Sequence, residues 1–123
     1  MTTYEIVGSF YRPPAKALIA GISPGTKLML KAEPNNQFDP NAIQVLLFTK
    51  DILHSDHEAL NKELETSGKD IQDIMGADEW HLGFIRKELA KPLRESNIIK
   101  INKEYEGTFS IDFRGKPMVE IDL

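Results

Sequence analysis

The sequence predicts a mainly β chain of the α+β class: a small antiparallel β barrel with two to three helices attached. Three observations predict it. Short segments of period-two alternation recur along the chain, separated by turns rich in Pro, Gly and Asn. Between Lys50 and Glu79 the period shifts toward 3.6, which marks a helical, acidic insertion at 50-79. The 123 residues, 41% hydrophobic and 28% charged, amount to one globular domain over 1-123, able to bury about two thirds of its unfolded surface.

The elements follow in order. Tyr4 to Tyr11 alternates as a first strand, ended by Arg12 and by Pro13-Pro14, which forces an extended exit. Ala15 to Ala20 makes a short helical turn stopped by Gly21. Ser23-Pro24-Gly25 turns the chain into a second strand, Lys27 to Glu33, with one face wet. A third strand, Ala42 to Phe48, is apolar at nearly every position from Ile43 on except Gln44, and so is central and covered on both faces. Ser55-x-x-Glu58 is a capping-box pattern opening a helix that carries Leu60 and Leu64 up to Gly68; a shorter helix spans Lys69 to Met75. Trp80 to Ile85 forms a fourth strand, whose Gly83 allows a close backbone approach. Arg86 to Glu95 is a helix with Ile85, Leu89 and Leu93 on its apolar side, shortened or kinked by Pro92. Ile98 to Gly107 alternates as a fifth strand. Phe109 to Phe113 and Val119 to Ile121 form a closing hairpin around a turn at Arg114 to Pro117.

Composition excludes several classes. With no cysteine there is neither disulfide nor thiolate chemistry. No apolar run approaches the ~20 residues of a membrane span, and Met1 to Glu5 has no basic-then-apolar leader, so a cytoplasmic protein without membrane contact is expected. The net charge of -4 is unevenly spread: residues 50 to 79 hold three lysines against nine carboxylates, which leaves twelve basic against ten acidic residues elsewhere. A mildly basic body therefore carries one acidic segment, which is a lid, a dimer contact, a protein-partner surface or solvated decoration.

Catalytic patterns are missing. No serine sits in a G-x-S-x-G elbow and no G-x-x-x-x-G-K loop is present. His54-Ser55-Asp56-His57-Glu58 with a distant His81 lacks the full spacing of a metal site. A non-enzymatic chain without cofactor or metal is the expectation. A binding surface remains: the aromatics Tyr11, Phe38 and Phe84 fall at strand ends or in loops, with Arg12, Arg86 and Lys87 beside them. Aromatic faces interleaved with cations suit splayed single-stranded bases, although Phe84 also fits a core position.

The stretch Glu33 to Val45, EPNNQFDPNAIQV, carries the most information. Pro34 and Pro40 fix two φ angles, and Asn35, Asn36, Asp39 and Asn41 can each bond the backbone locally, so the loop should be stiff. Phe38 within it either plugs the underside of the loop or faces a partner.

Together VGSFY (Val7 to Tyr11), LKAEPNNQFDPNAIQV (Leu30 to Val45) and HLGFIRKELAKPL (His81 to Leu93) resemble the HIRAN domain, found fused to SNF2-type helicases and as stand-alone bacterial and phage proteins. The resemblance implies an OB-like barrel that binds single-stranded DNA, captures its 3′-hydroxyl end and serves repair, replication or a mobile element. Carried over by position, it implies that Tyr11 and Phe38 sandwich a terminal base, Asp39 accepts from the 3′-hydroxyl, Asn36 supports that pocket and Lys87 meets phosphate. The chain departs from the DNA-binding member at Phe10, where that member has a basic residue, at Arg12, where it has an aromatic, and at Phe84, where it has a histidine. The acidic insertion is foreign to it.

Overall fold

The alternating segments close on one another. In the computed structural model, which describes every residue from Met1 to Leu123, six strands form a closed barrel in the order β1-β4-β3-β2-β5-β6. They are β1 (Thr2–Val7), β2 (Lys27–Ala32), β3 (Ile43–Phe48), β4 (Glu79–Ile85), β5 (Glu104–Ile111) and β6 (Pro117–Ile121), and every pairing is antiparallel. Four helices accompany them: α1 (Pro13–Gly21), α2 (His57–Leu64), α3 (Ile71–Met75) and α4 (Lys87–Glu95). The expected small antiparallel barrel is what the chain forms. On β2, Leu28, Leu30 and Ala32 are buried and alternate with the more exposed Lys27, Met29 and Lys31. On β3, held between β4 and β2, Val45, Leu46 and Leu47 are all buried, as a strand covered on both faces requires.

Several elements differ from the sequence expectation. The first strand stops at Val7 instead of reaching Tyr11, because Gly8 takes a left-handed conformation (φ 87°) and Ser9 to Tyr11 wind into a 3-10 turn. Pro13-Pro14 opens α1 instead of extending the chain, since the first helical turn needs no donor from those nitrogens. The strand expected over Ile98 to Gly107 begins only at Glu104: Asn97 and Asn102 are both left-handed at φ 61°, and the N–H groups of Ile98 and Ile99 bond back to the Leu93 carbonyl. From Glu104 one strand continues through Phe109 to Ile111, so the two segments expected there are a single element. Leu89 is exposed, with Ala90 and Leu93 as the buried positions of α4. That helix runs on to Glu95, past Pro92; the carbonyl of Glu88, four residues back, belongs to an exposed residue, so losing its donor is tolerable.

Residues 50 to 79 connect β3 to β4 and share the barrel's core. Leu60, Leu64, Ile71 and Ile74 join the cluster of 24 buried residues that also contains Leu18 of α1 and Phe109 of β5. Gly21 lets α1 and α2 meet closely, because a methyl there would lie 2.6 Å from Leu60 Cδ2. The Ser55 capping box does not form: His54 to Asp56 are a 3-10 turn, and the residue before α2 is Asp56. Its buried carboxylate is drawn elsewhere, accepting from the Ser23 backbone N–H (2.9 Å) and the Ser23 hydroxyl (2.6 Å). A capping box closes instead at α3, between Asp70 and Asp73. No helix is long and apolar enough to cross a membrane.

The β5-β6 turn is organised by Asp112. Its carboxyl is held below the usual carboxylate range, first by the Lys116 backbone N–H and then, against partial desolvation, by Arg114. A lowered folded-state value means that this contribution to stability is present above about pH 4 and fades as pH falls through the lowered value.

Asp56 ties the helical segment to the β2 side of the barrel, so Asp56→Ala should strand two Ser23 donors and lower stability by about 2–3 kcal/mol. Chemical denaturation followed by circular dichroism checks this; a change below about 0.5 kcal/mol would show that the tie contributes nothing.

Candidate functional site

The corner between β2 and β3 is built almost entirely from its own residues. At its base the Glu33 N–H donates to the Ala42 carbonyl (2.9 Å) and the Ala42 N–H to the Asp39 carbonyl (3.1 Å). Asn36 is the centre: its Oδ1 accepts from the N–H groups of both Phe38 and Asp39 (2.9 Å each), and its Nδ2 donates to Glu33 Oε2 (3.2 Å). Asp39 Oδ1 accepts from the Asn41 N–H (2.9 Å), which leaves Oδ2 without a protein partner. The side chains of Asn35 and Asn41 make no such bonds. With Pro34 and Pro40 fixing two further torsions, the backbone around Phe38 has little freedom. Its ring is 85% exposed, so it does not plug the underside of the loop.

Beneath this corner lies the junction of β1 with β4. Their direct pairing is short, Ile6 with Ile85 and Val7 with Phe84. On the other side β4 is bulged against β3: Val45 faces Gly83 and Leu46 faces His81, so Leu82 is the extra residue. Gly83 allows the crossing, since a methyl group there would land on the Val7 carbonyl oxygen. The bulge leaves Phe84 half-buried, its ring edge-on to His81 (centroids 4.7 Å apart) and with the Arg12 guanidinium 5.3 Å above it.

A cleft of about 450 Å³ opens here, within the ~300–1,000 Å³ usual for ligand sites. It is lined by Val7 and Arg12 from the end of β1 and the turn after it, by Glu33, Asn36, Phe38, Asp39 and Ala42 from the corner, and by Phe84, Ile85 and Lys87. The structure thus brings together Arg12, Asn36, Phe38, Asp39, Phe84 and Lys87. Tyr11 and Arg86 do not line the cleft. Tyr11 is 85% exposed and meets Phe10 edge-on at 5.7 Å. Arg86 is engaged by Glu5 (2.7 Å), which also lies 3.6 Å from Arg114.

Charge in the cleft is balanced, with Arg12 and Lys87 against Glu33 and Asp39, and none of the four is in an ion pair. Sequence reasoning missed four lining residues, the apolar Val7, Ala42 and Ile85 and the charged Glu33. A glutamate at a strand end before proline resembles ordinary surface charge; its spacing of three from Asn36 was the available signal. Elsewhere, the His54 and His57 rings lie 4.8 Å apart, but no third ligand is positioned to complete a metal site. No protein-family model, curated protein or solved structure matches the chain. The chemistry of the cleft therefore rests on its own residues: a free aromatic face, two carboxylates with unpaired oxygens, and two cations.

Phe38→Ala should leave stability within about 0.5 kcal/mol of the parent, because the ring is exposed. Gly83→Ala should cost about 1–3 kcal/mol by forcing β1 off β4. Urea denaturation checks both; a loss of about 3–5 kcal/mol at Phe38 would mark that ring as core.

Proposed function

We propose that the protein is a non-enzymatic module that binds single-stranded DNA and captures its 3′-hydroxyl end in this cleft. The observation that carries the reading is the exposed ring of Phe38, on a backbone that Asn36 fixes, in the same cleft as a carboxylate oxygen of Asp39 that no protein group satisfies. A splayed terminal base stacks on that ring, a contact worth about 1–3 kcal/mol. The terminal hydroxyl donates to Asp39; a carboxylate welcomes a hydroxyl donor and repels a terminal phosphate, so the same group discriminates chain ends. Lys87 and Arg12, which line the same cleft, would meet the preceding phosphates.

The resemblance to the HIRAN family supports the same assignment, because the three segments that carry it, around Val7 to Tyr11, Leu30 to Val45 and His81 to Leu93, are those that build the cleft. Tyr11, the implied second half of the base sandwich, stands next to Arg12 in the chain but does not line the cleft. With two carboxylates offsetting two cations, the groove does not bind by bulk charge, so affinity resides in the terminal nucleotide and its salt dependence is shallow.

A second reading, a protein partner on the 50 to 79 segment, draws on the exposure of Glu58, Glu63 and Glu65. Lysine substitutions there test it without removing the core leucines.

Fluorescence anisotropy with oligonucleotides ending in 3′-hydroxyl or 3′-phosphate tests the proposal. The hydroxyl end should bind roughly tenfold or more tightly, as a charged hydrogen bond of about 1.5–3 kcal/mol implies. Phe38→Ala should weaken binding by about 5- to 150-fold, and Asp39→Ala should erase the preference. Equal affinity for both ends in the parent protein would remove end capture.

A further inference from the structure

We infer that Glu33 makes the cleft selective for the terminal base, and that the base is guanine; this rests on the cleft being the DNA site proposed above. Glu33 and Phe38 line the same cleft and are both held by the Asn36 side chain, which donates to Glu33 Oε2 and accepts from the Phe38 N–H, so a base stacked on Phe38 would turn an edge toward the carboxylate. One oxygen, Oε2, already accepts from Asn36 Nδ2 at 3.2 Å, and that bond fixes the carboxylate's orientation. Oε1 has no protein partner, and no cation stands within ion-pair distance. The two cations that line the cleft are otherwise placed: Arg12 lies over the Phe84 ring and Lys87 is exposed at the start of α4.

A half-satisfied carboxylate in a partly buried site accepts hydrogen bonds and donates none. An unpaired guanine offers two parallel donors on its Watson–Crick edge, N1–H and the N2 amino group, spaced to meet both carboxylate oxygens; each oxygen has a lone pair left after the Asn36 bond. Adenine and cytosine offer one amino donor beside a ring acceptor. Thymine and uracil offer one donor flanked by two carbonyl oxygens, which the carboxylate repels. The order is therefore guanine first, adenine and cytosine between, thymine last. Single-stranded ends are where such edges are free to be read.

The test uses the full chain and four oligonucleotides identical except for the 3′-terminal nucleotide, each with a free 3′-hydroxyl. Terminal dG should bind at least about fivefold tighter than terminal dT, the lower bound for one good bidentate base contact. Glu33→Gln keeps an acceptor for Asn36 Nδ2, and so keeps the corner, but replaces an acceptor with a donor; the dG to dT ratio should fall to near one. Asp39→Asn should reduce the preference for 3′-hydroxyl over 3′-phosphate and leave the dG to dT ratio in place. Equal binding of dG and dT ends by the parent protein, or a ratio that survives in Glu33→Gln, overturns the inference. If hydroxyl ends are still preferred while the four bases bind alike, base selection falls and end capture stands. If no oligonucleotide binds, both fall.

Discussion

The contact on which the molecule depends is the passage of β1 across β4 at Gly83. A closed barrel needs each strand to find two neighbours, and β1 has only two residue pairs with β4 before Gly8 turns it away. Those pairs form because Gly83 has no side chain to hold the Val7 carbonyl off, and because the extra residue Leu82 bends β4 toward it. Bulges and glycines at barrel corners serve this purpose generally. Here the same distortion sets Phe84 half out of the core and brings the turn carrying Arg12 over it. Closure of the sheet and construction of the cleft floor are one event.

The two sides of the cleft are specified differently. Its floor depends on pairings between distant parts of the chain, whereas its rim, the Glu33 to Ala42 corner, is held by bonds that span at most nine residues. This difference decides what the sequence discloses. The corner is legible because Asn36, Asp39 and the two prolines encode their own contacts within a few positions, and the alternation of β2 and the apolar run of β3 are legible for the same reason. Asn97 and Asn102 break the expected fifth strand through left-handed torsions that an asparagine permits but does not announce. Arg86, by composition a ligand-facing cation, is claimed by Glu5, 81 residues away. The alternation that would carry the first strand to Tyr11 is ended by Gly8.

The segment between β3 and β4 shows how far a charge count can mislead about architecture. Its nine carboxylates suggest an appendage, yet its leucines and isoleucines lie in the same core as the barrel strands, and buried Asp56 anchors it to Ser23. Acidity describes the outer face of these helices; their inner face is as apolar as any strand. Stability and surface charge are thus carried by alternate positions of one stretch.

Because the corner's geometry is closed within ten residues, it behaves as a cassette: whatever docks there meets a surface already shaped, and little ordering entropy opposes it. Its outward side chains, Phe38 among them, take no part in the bonds that hold the corner, so they can change while the scaffold stays fixed. Phe38 can thus be exchanged at little cost to the corner, whereas exchanges at Glu33 and Asp39 each remove a bond that holds it.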